Sequence, residues 1–406
     1  MRLSAEERAT IEGESGDSPR IAMELLVAAG ETMGAGSLLE ISGAHIDGCL
    51  YHGVAGLDFA RLLADGGGEV AVPTTLNVSS LDLLHPGLFR GDPADAERSR
   101  DLMSAYESMG CRPTWTCAPY QLSERPGLGE QIAWGESNAI VFANSVLGAR
   151  TNRYGDFLDI CCAITGRAPA TGLHTDAGRR ATLGLDVVVP DEWLDNDLLY
   201  VAVGLVLGRV AGTEVATIDG LDTRADEDRL KALGAAAASS GAVGMFHVSG
   251  VTPEAETLGA EPRRRLTVDR ERLAAALTTL GGASGRLGAV SVGTPHASAT
   301  ELERLAVLCA GRTSKVPFYV NTGRDVQGSR VEAVEVLEAF GATLVTDTCT
   351  YITPIIGPVD GCVMTNSGKW AYYAPGNLGV EVALGTLEDC VESAVRGTVV
   401  VSGELT

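Results

Sequence analysis

Residues 289–350, AVSVGTPHASATELERLAVLCAGRTSKVPFYVNTGRDVQGSRVEAVEVLEAFGATLVTDTCT, decide the fold class, because short apolar stretches alternate here with helical patterns. The alternation predicts strands over 289–292, 316–320 and 342–346 and helices over 298–310 and 328–340. Strand, loop and helix in this rhythm are typical of parallel βαβ units. We therefore predict an α/β fold built from parallel βαβ units.

Composition and charge narrow the class of protein further. The chain has 406 residues, with 50 glycines and only 7 phenylalanines, which favours α/β layers of small residues over an aromatic-rich β protein. A formal net charge of −22 would repel a phosphate backbone or an anionic membrane surface. The sequence thus argues against nucleic acid and membranes as partners.

Cysteine usage and the N-terminal residues indicate the compartment. The nine cysteines are scattered without the dense spacing of a secreted disulfide framework. Neither a signal peptide nor a run of 18 apolar residues is recognisable. We expect a cytoplasmic protein whose cysteines are small buried residues or metal ligands.

Length predicts more than one lobe. The charged stretch Leu258–Arg265 lacks apolar periodicity and is the best linker candidate. We therefore divide the chain into residues 1–262, as N-terminal α/β lobes with pocket loops, and residues 263–406, as a C-terminal α/β lobe with cysteine-bearing turns.

The stretch Cys111–Asp156 has the composition of a binding site. It combines a thiol in a turn, Cys117, with a Gly/Pro-rich loop and a polar segment. Forked hydrogen-bond donors separated by glycine suit carboxylates. The segment offers Asn144, Ser145, Arg150, Asn152 and Arg153.

Polar residues also lie at the predicted ends of two strands, one leading to His45 and one leading from residue 69 into Thr74, Thr75 and Asn77. Ligands of open α/β sheets gather beyond the carboxyl ends of strands. His45 and His296 each adjoin a turn, which leaves open a site role or a satisfied structural histidine.

Three thiols stand out by position. Cys117 and Cys349 lie in loops, where a metal or substrate can reach them, whereas Cys390 lies on the apolar side of the last helix. Cysteine spacing does not predict a zinc ribbon. The segment Thr365–Lys369 can bind a carboxylate or a phosphate, but it lacks the glycine spacing of a P-loop.

Six segments together resemble the large, catalytic subunit of aconitase X, especially bacterial members that act as cis-3-hydroxy-L-proline dehydratases. The resemblance covers almost the whole chain and implies an aconitase-like, multi-lobed fold. The segments, in chain order, are VPTTLN (72–77), TCAPY (116–120), ANSVLGARTNRYGD (143–156), TPHAS (294–298), DTCTYITPI (347–355) and TNSGKWAYYAP (365–375).

The resemblance implies an iron centre that acts as a Lewis acid on a leaving hydroxyl group. Cys117 and Cys349 are the implied ligands, and the third is Cys390 or another thiol. Thr294 stands where isopropylmalate isomerases place a cluster cysteine. The centre is therefore an iron–sulfur cluster, a smaller cluster or a mononuclear iron.

The resemblance also implies roles in a dehydration that converts cis-3-hydroxy-L-proline to Δ1-pyrroline-2-carboxylate. Lys369 and His45 would act in catalysis. The proton acceptor would be a serine on a small swivelling-domain subunit, which this chain is expected to lack. The substrate would be bound by Thr74, Thr75, Asn77, Asn144, Ser145, Arg150, Arg153 and Ser367.

Three alternatives stay open at this point. Archaeal relatives dehydrate mevalonate 5-phosphate, which demands a more basic pocket. A chain of this pattern can also be a non-catalytic iron-binding regulatory protein. The simplest alternative is an α/β protein whose cysteines are only buried.

Overall fold

The computed structural model describes residues 1–259 and 262–403. The chain divides into two compact units, Met1–Ser80 with Asp92–Arg180, and Leu81–Gly91 with Ala181–Thr406. The predicted α/β class is confirmed, because the sheets of three, four and five strands are parallel at every pairing. None of the helices in the described ranges combines the length and apolar character needed to cross a bilayer.

Unit 1 surrounds a short parallel sheet with the strand order β3-β2-β4, and a second sheet pairs β1 with β5 in antiparallel fashion. Its core includes Leu26, Ile46 and Tyr106. The elements are α1 Ala5–Ile11, α2 Asp17–Thr32, β1 Leu38–Glu40, β2 Ala44–Ile46, α3 Val54–Asp65, β3 Thr74–Leu76, α4 Pro93–Ser108, β4 Ala133–Trp134, α5 Ser137–Phe142, α6 Leu158–Thr165, β5 Arg167–Pro169 and α7 Asp176–Arg179.

The position of β3 corrects one expectation. A strand was predicted over residues 69–73, with Thr74 and Thr75 in the loop that follows, but the strand begins at Thr74. Pro73 has no N–H group for a ladder, and its carbonyl accepts a hydrogen bond from Ala44 N at 3.0 Å. His45 of β2 is consequently paired with Thr75 in the register of the sheet.

Unit 2 contains two parallel sheets, with the strand orders β8-β7-β6-β9 and β12-β11-β10-β13-β14. Val290, Val320 and Leu337 belong to a hydrophobic core built around the five-stranded sheet. The elements are β6 Leu183–Val187, α8 Asp197–Ala211, β7 Ala216–Asp219, α9 Glu227–Ser240, β8 Phe246–Val248, α10 Ala255–Leu258, β9 Arg264–Val268, α11 Arg270–Gly281, β10 Leu287–Ala297, α12 Ala299–Cys309, β11 Phe318–Thr322, α13 Arg324–Ser329, α14 Val331–Phe340, β12 Ala342–Val345, β13 Cys362–Thr365, α15 Gly368–Leu378, β14 Val382–Leu384 and α16 Leu387–Arg396.

The predicted linker 258–265 is only partly accounted for. Residues 260 and 261 lie outside the described residues, while Arg264–Val268 forms β9 and pairs with β6. The part of β9 that falls inside the predicted linker consists of Arg264 and Arg265, which are both charged and exposed. These two residues therefore show no apolar periodicity from which a strand could be predicted. The division of the chain at residues 262 and 263 stays a prediction.

Gly293 lies within β10, at the register shift between Val292 and Ala297 that also contains Thr294 and His296. Its φ angle is +78°, and a Cβ atom there would lie 2.2 Å from the carbonyl oxygen of Asn321. We expect Gly293→Ala to lower the free energy of unfolding by about 2 kcal/mol or more, through backbone strain and the clash. Thermal unfolding of the variant measures the loss.

Gly285→Ala is the matched control, because Gly285 has a φ of +91° but nothing lies within 4 Å of its Cβ position. This control carries the backbone strain alone. Equal losses in the two variants would contradict the proposed clash at Gly293.

Candidate functional site

Three side chains, Cys117, His296 and Cys349, form a group able to hold a metal ion. One ligand atom from each lies within 4.8 Å of those of the other two, and all three residues are buried. Two thiols and an imidazole are typical ligands of zinc, iron and iron–sulfur centres. The structure thus brings together the two loop thiols singled out in the sequence and adds a histidine to them.

Cys117 lies in a loop of unit 1 whose backbone is held tightly. The Nδ2 atom of Asn138 donates to the Cys117 carbonyl at 3.1 Å, and Tyr120 donates to Asn138 Oδ1 at 2.8 Å. Trp115, two residues earlier, has a φ of +46°, which is rare for a bulky side chain. Such strain persists where surrounding contacts define the backbone, as they do at functional sites.

Cys349 follows a constrained turn in unit 2. Asp347 has a φ of +62°, and its buried carboxylate accepts hydrogen bonds from Arg324 Nη2 at 2.7 Å and from Leu83 N at 3.0 Å. The Cys349 carbonyl then accepts from Thr353 N at 3.0 Å. These bonds fix the backbone on both sides of the thiol.

His296 lies near the carboxyl end of β10, in the same sheet of unit 2 as β12, the strand that precedes Cys349. Its Nε2 atom lies 3.1 Å from the carbonyl oxygen of Thr348. A carbonyl accepts only, so this nitrogen carries the hydrogen, and Nδ1 then has the lone pair that a metal needs. The hydrogen bond therefore defines the tautomer of a ligating imidazole.

The structure does not bring Cys390, the predicted third ligand, into this group. Its side chain is fully buried on α16, in the same hydrophobic core of unit 2 as Leu387, Val391 and Ala394. Burial raises the pKa of the Cys390 thiol well above its usual range, so the thiol stays protonated. This cysteine packs as a small apolar residue.

A polar cluster lies at the carboxyl ends of β2, β3 and β4 in unit 1. The Nδ2 atom of Asn77 donates to Glu136 Oε2 at 3.0 Å and to the carboxylate of Asp47. Nδ1 of His45 lies 2.7 Å from Thr75 Oγ1, while its Nε2 has no hydrogen-bond partner among the described residues. The sheet thus brings together His45, Thr75 and Asn77, which were predicted from the sequence.

Burial sets the protonation of this cluster. It lowers the pKa of His45 to about 4, so the imidazole is neutral at neutral pH. It also raises the pKa of Asp47 well above its usual range, with the charges of Glu136 and Asp156 adding to the shift. The cluster therefore contains a neutral imidazole and a carboxyl group that binds its proton more tightly than usual.

Thr74 and Thr75 line a cavity of about 680 Å³ in unit 1, together with Arg112 and Trp134. Thr75 lines this cavity and also holds the His45 ring, through the contact between its Oγ1 atom and His45 Nδ1. The hydroxyl of Thr74 donates to the carbonyl of Val72 at 2.8 Å. Both threonines thus lie where a small molecule can enter.

Asn144 makes hydrogen bonds through both ends of its amide. Nδ2 donates to Thr151 O at 2.8 Å, and Oδ1 accepts from Thr151 N at 3.0 Å and from Arg179 Nη1 at 2.9 Å. The guanidinium of Arg179 is fully buried and also donates to the Asn144 carbonyl at 2.9 Å. These contacts hold the segment on which Ser145, Arg150 and Arg153 lie.

The other predicted carboxylate-binding residues differ in exposure. Ser145 is buried in a single π-helical turn, Ala143–Leu147, a form often found at functional sites. Arg150 forms a 2.6 Å ion pair with Asp176 in unit 1, whereas Arg153 is exposed. A role for each in substrate binding stays a prediction.

Ser367 and Lys369 begin α15 in unit 2. The Ser367 hydroxyl accepts from Trp370 N at 3.0 Å as the helix N-cap. Lys369 is buried, with its Nζ atom 5.8 Å from the ring centre of Tyr351. A buried ammonium group at a helix start favours an anionic ligand nearby.

Sequence reasoning assigned no role to several residues of these clusters. Asp47, Glu136 and Asn138 follow short strands, but only the parallel register of β2 and β4 shows that they meet. Arg179 lies on the four-residue helix α7, far along the chain from Asn144. His296 carried a usable signal, since it ends a strand beside a Thr-Pro turn.

Comparisons with known proteins give matches along most of the chain. Family models match the chain in three consecutive parts: aconitase X first domain over residues 1–177, second domain over 181–278 and third domain over 287–396. The solved structure of Thermococcus kodakaraensis aconitase X (holo-form) is 33% identical, with a TM-score of 0.88 over 97% of this chain and 100% of that one.

Curated relatives give the class of activity. A cis-3-hydroxy-L-proline dehydratase of Pseudomonas aeruginosa is 46% identical over 98% of this chain and 70% of the relative. A protein of the same name from Hypocrea jecorina is 41% identical over 98% of this chain and 69% of its own length. The phosphomevalonate dehydratase large subunit of Methanosarcina mazei is 36% identical over 98% of both.

The fold and these relatives define the class of protein, a dehydratase, that is, a carbon–oxygen hydro-lyase. More narrowly, the chain belongs to the aconitase X family, which confirms the resemblance drawn from its six segments.

The buried Asn144 contacts predict a structural effect. We expect Asn144→Ala to lower the free energy of unfolding by about 2–3 kcal/mol, because it removes the side-chain partner of the buried backbone groups of Thr151 and one acceptor of the buried Arg179 guanidinium. Thermal or denaturant unfolding measures the change. Arg112→Ala is the control, since its ion pair with Glu124 is exposed and contributes at most about 1 kcal/mol. Similar losses in both variants would contradict a supporting role for Asn144.

Proposed function

We propose that this chain is the large, catalytic subunit of a cytoplasmic hydro-lyase that dehydrates cis-3-hydroxy-L-proline to Δ1-pyrroline-2-carboxylate. The observation that carries the proposal is the group of Cys117, His296 and Cys349, which offers a metal site in a chain of the aconitase X family. The identity of 46% with a cis-3-hydroxy-L-proline dehydratase, against 36% with a phosphomevalonate dehydratase large subunit, favours the amino-acid substrate.

The three donors fit an iron-containing centre. The ligand atoms of the group lie within 4.8 Å of one another, which is close to the spacing of about 4.6 Å between ligands on opposite sides of one ion at about 2.3 Å. The three residues are buried, and the hydrogen bond from His296 to Thr348 supplies the outer contact that ligating imidazoles usually make. Cys117, His296 and Cys349 would hold an iron–sulfur cluster or a single iron, with His296 in place of the Cys390 ligand predicted earlier.

Such a centre, when bound, supplies Lewis acidity toward the hydroxyl that leaves the substrate. The chain's own residues would bind and orient the amino acid. Lys369, buried at the start of α15, would balance the charge of the carboxylate, and Ser367 would hold the start of that helix in place. Arg150, Arg153 and Ser145 are the further candidates for carboxylate binding.

His45 would act as a neutral hydrogen-bonding group, because burial keeps its pKa at about 4. Its contact with Thr75 orients the ring, and Asn77 holds the buried carboxyl group of Asp47 nearby. The proton taken from carbon would go to a serine on a second chain.

That second chain is proposed as a small swivelling-domain subunit. The archaeal relatives that this chain matches over nearly their whole length are named large subunits, which implies a small one. The two cis-3-hydroxy-L-proline dehydratases extend beyond the matched region, which is 70% and 69% of their lengths. A relative that extends beyond the matched region can carry both parts in one chain, whereas the relatives named large subunits are one part of two.

The ligand assignment can be tested on anaerobically purified protein. We expect Cys117→Ser, Cys349→Ser and His296→Gln each to lose most of the bound iron, because each removes one of three donors. Iron and sulfide content, together with the visible absorption spectrum, are the measurements. Cys390→Ser is the matched control and should retain its iron. Loss of iron in Cys390→Ser with retention in His296→Gln would reverse the assignment of the third ligand.

The substrate assignment can be tested by combining the chain with the small-subunit protein of its own organism. We expect cis-3-hydroxy-L-proline to be dehydrated by the pair and by neither chain alone, since the proposed proton acceptor lies on the partner. Release of Δ1-pyrroline-2-carboxylate is followed directly. Turnover of mevalonate 5-phosphate instead would identify the other family activity. Iron-loaded protein that turns over neither substrate would favour a non-catalytic, iron-binding role.

A further inference from the structure

We propose that a short file of water molecules in unit 2 connects the region beside His296 with a charged cavity, and that Glu301 passes protons along it. This inference rests on the proposed function, because the dehydration needs a route for its proton and for the water it releases. Three observations support it. Two cavities adjoin each other, and a buried ionic cluster lies between these cavities. In addition, two buried oxygen atoms have no hydrogen-bond partner among the described residues.

The inner cavity is small and polar. It has a volume of about 30 Å³ and is lined by Thr294, Pro295, Ser367, Lys231 and Glu301, among others. One water molecule needs on the order of 10–15 Å³ of such space, so the cavity has room for about two. Thr294 and Pro295 directly precede His296 in the chain, which places the cavity next to a proposed metal ligand.

Two polar atoms at this cavity lack partners among the described residues. The Oγ1 atom of Thr294 and the Oδ1 atom of Asn366 are buried without a hydrogen bond, and both residues line the cavity. The exposed fraction of the whole Thr294 residue is 7%. A buried oxygen without a partner costs about 1–3 kcal/mol, and bridging water is the usual remedy.

Glu301 lies between the inner cavity and an outer one. The outer cavity, of about 100 Å³, is lined by the charged residues Asp226, Asp228, Arg229 and Arg304. Glu301, Asn366 and Ala232 line both cavities. A proton that reaches Glu301 from one side can therefore leave on the other.

The contacts of Glu301 fit a group that exchanges a proton. Its carboxylate accepts from Ser298 N at 2.9 Å and from the buried ammonium of Lys231, which also bonds Asp228 at 3.0 Å. Burial raises the pKa of Glu301 to about 7, against the opposing effect of Lys231 and with the added charge of Asp228. The carboxyl group thus changes protonation near neutral pH, as a relay must.

The transfer balances without another reactant. The proton taken from carbon passes from its acceptor onto the first water of the file, a second proton leaves that file for the Glu301 carboxylate, and Glu301 returns its proton to solvent in the outer cavity. One proton comes back from solvent through the same groups to the hydroxide that leaves the substrate, which departs as water, so no net proton is gained or lost in a turnover. Each O–H bond formed is matched by one broken. The file also offers an exit to the water molecule that the dehydration produces.

A crystal structure of the complex at a resolution that reveals ordered water tests the file without reference to activity. We expect about two water molecules, bonded to Thr294 Oγ1 and Asn366 Oδ1. The Thr294→Val variant should lose the first of them, because valine has the same shape without the hydroxyl. A dry inner cavity in the wild-type protein would overturn the inference, even if the proposed dehydration is real.

The kinetic test compares Glu301→Gln and Thr294→Val in the assembled, iron-loaded enzyme. We expect kcat to fall about 10-fold or more in both, while KM and iron content stay near wild type, because proton movement and not binding is impaired. Glutamine also suits the third residue of a helix, so α12 should keep its cap. The limb of the pH–rate profile near pH 7 should disappear in Glu301→Gln, since that limb follows the Glu301 pKa of about 7.

Glu303→Gln and Thr278→Val are the matched controls. Glu303 lies on the same helix but forms an exposed ion pair with Arg330, and the Thr278 hydroxyl bonds its own helix on the surface. Both controls should keep the wild-type rate and profile. Unchanged kcat and pH profile in Glu301→Gln would overturn the relay. If the wild-type complex dehydrates neither substrate, the proposed function fails, and the water molecules in the crystal structure alone decide the inference.

Discussion

The conformation of the cysteine-bearing turn in unit 2 depends on the hydrogen bonds that the buried carboxylate of Asp347 accepts. This carboxylate accepts hydrogen bonds from Arg324 and from the backbone of Leu83, and these hold a non-glycine residue at a φ of +62°. Asp82 completes the arrangement, because it accepts from Thr346 N at 2.9 Å. A buried charge that loses its partner costs about 3–5 kcal/mol, so the turn has one stable arrangement. The position of the Cys349 backbone follows from it.

Much of the unit 2 fold could be predicted from local pattern. The predicted helix over 298–310 and the predicted strand over 342–346 lie within a residue of α12 and β12, because apolar periodicity and the Ser298–Glu301 capping box mark them plainly. Helix α15 was missed, since it begins at Gly368 and contains Pro375, both unfavourable to helices. Tertiary packing of Trp370 and Ala371 outweighs those local preferences.

The candidate site could be predicted only where a residue's own neighbours in the chain reveal its role. Cys117 and Cys349 were singled out because each lies in a turn, and the structure groups them. Cys390 has the residue type of a ligand, but its apolar helix face already indicates packing. The link between Asn144 and Arg179, and the meeting of Asn77 with Glu136, depend on parallel strands and loop closure, which local pattern does not encode.

A histidine among the three donors has an electrostatic consequence for the proposed centre. A thiolate ligand carries a negative charge and an imidazole is neutral, so two cysteines with His296 leave the centre one unit more positive than three cysteines would. A more positive centre attracts an anionic substrate more strongly and is a stronger Lewis acid toward a leaving hydroxyl. It also lessens the demand for basic residues nearby, which suits a chain with 31 basic and 53 acidic residues. A small monoanionic acid then needs few cationic side chains around it, whereas a phosphorylated substrate would require more of them.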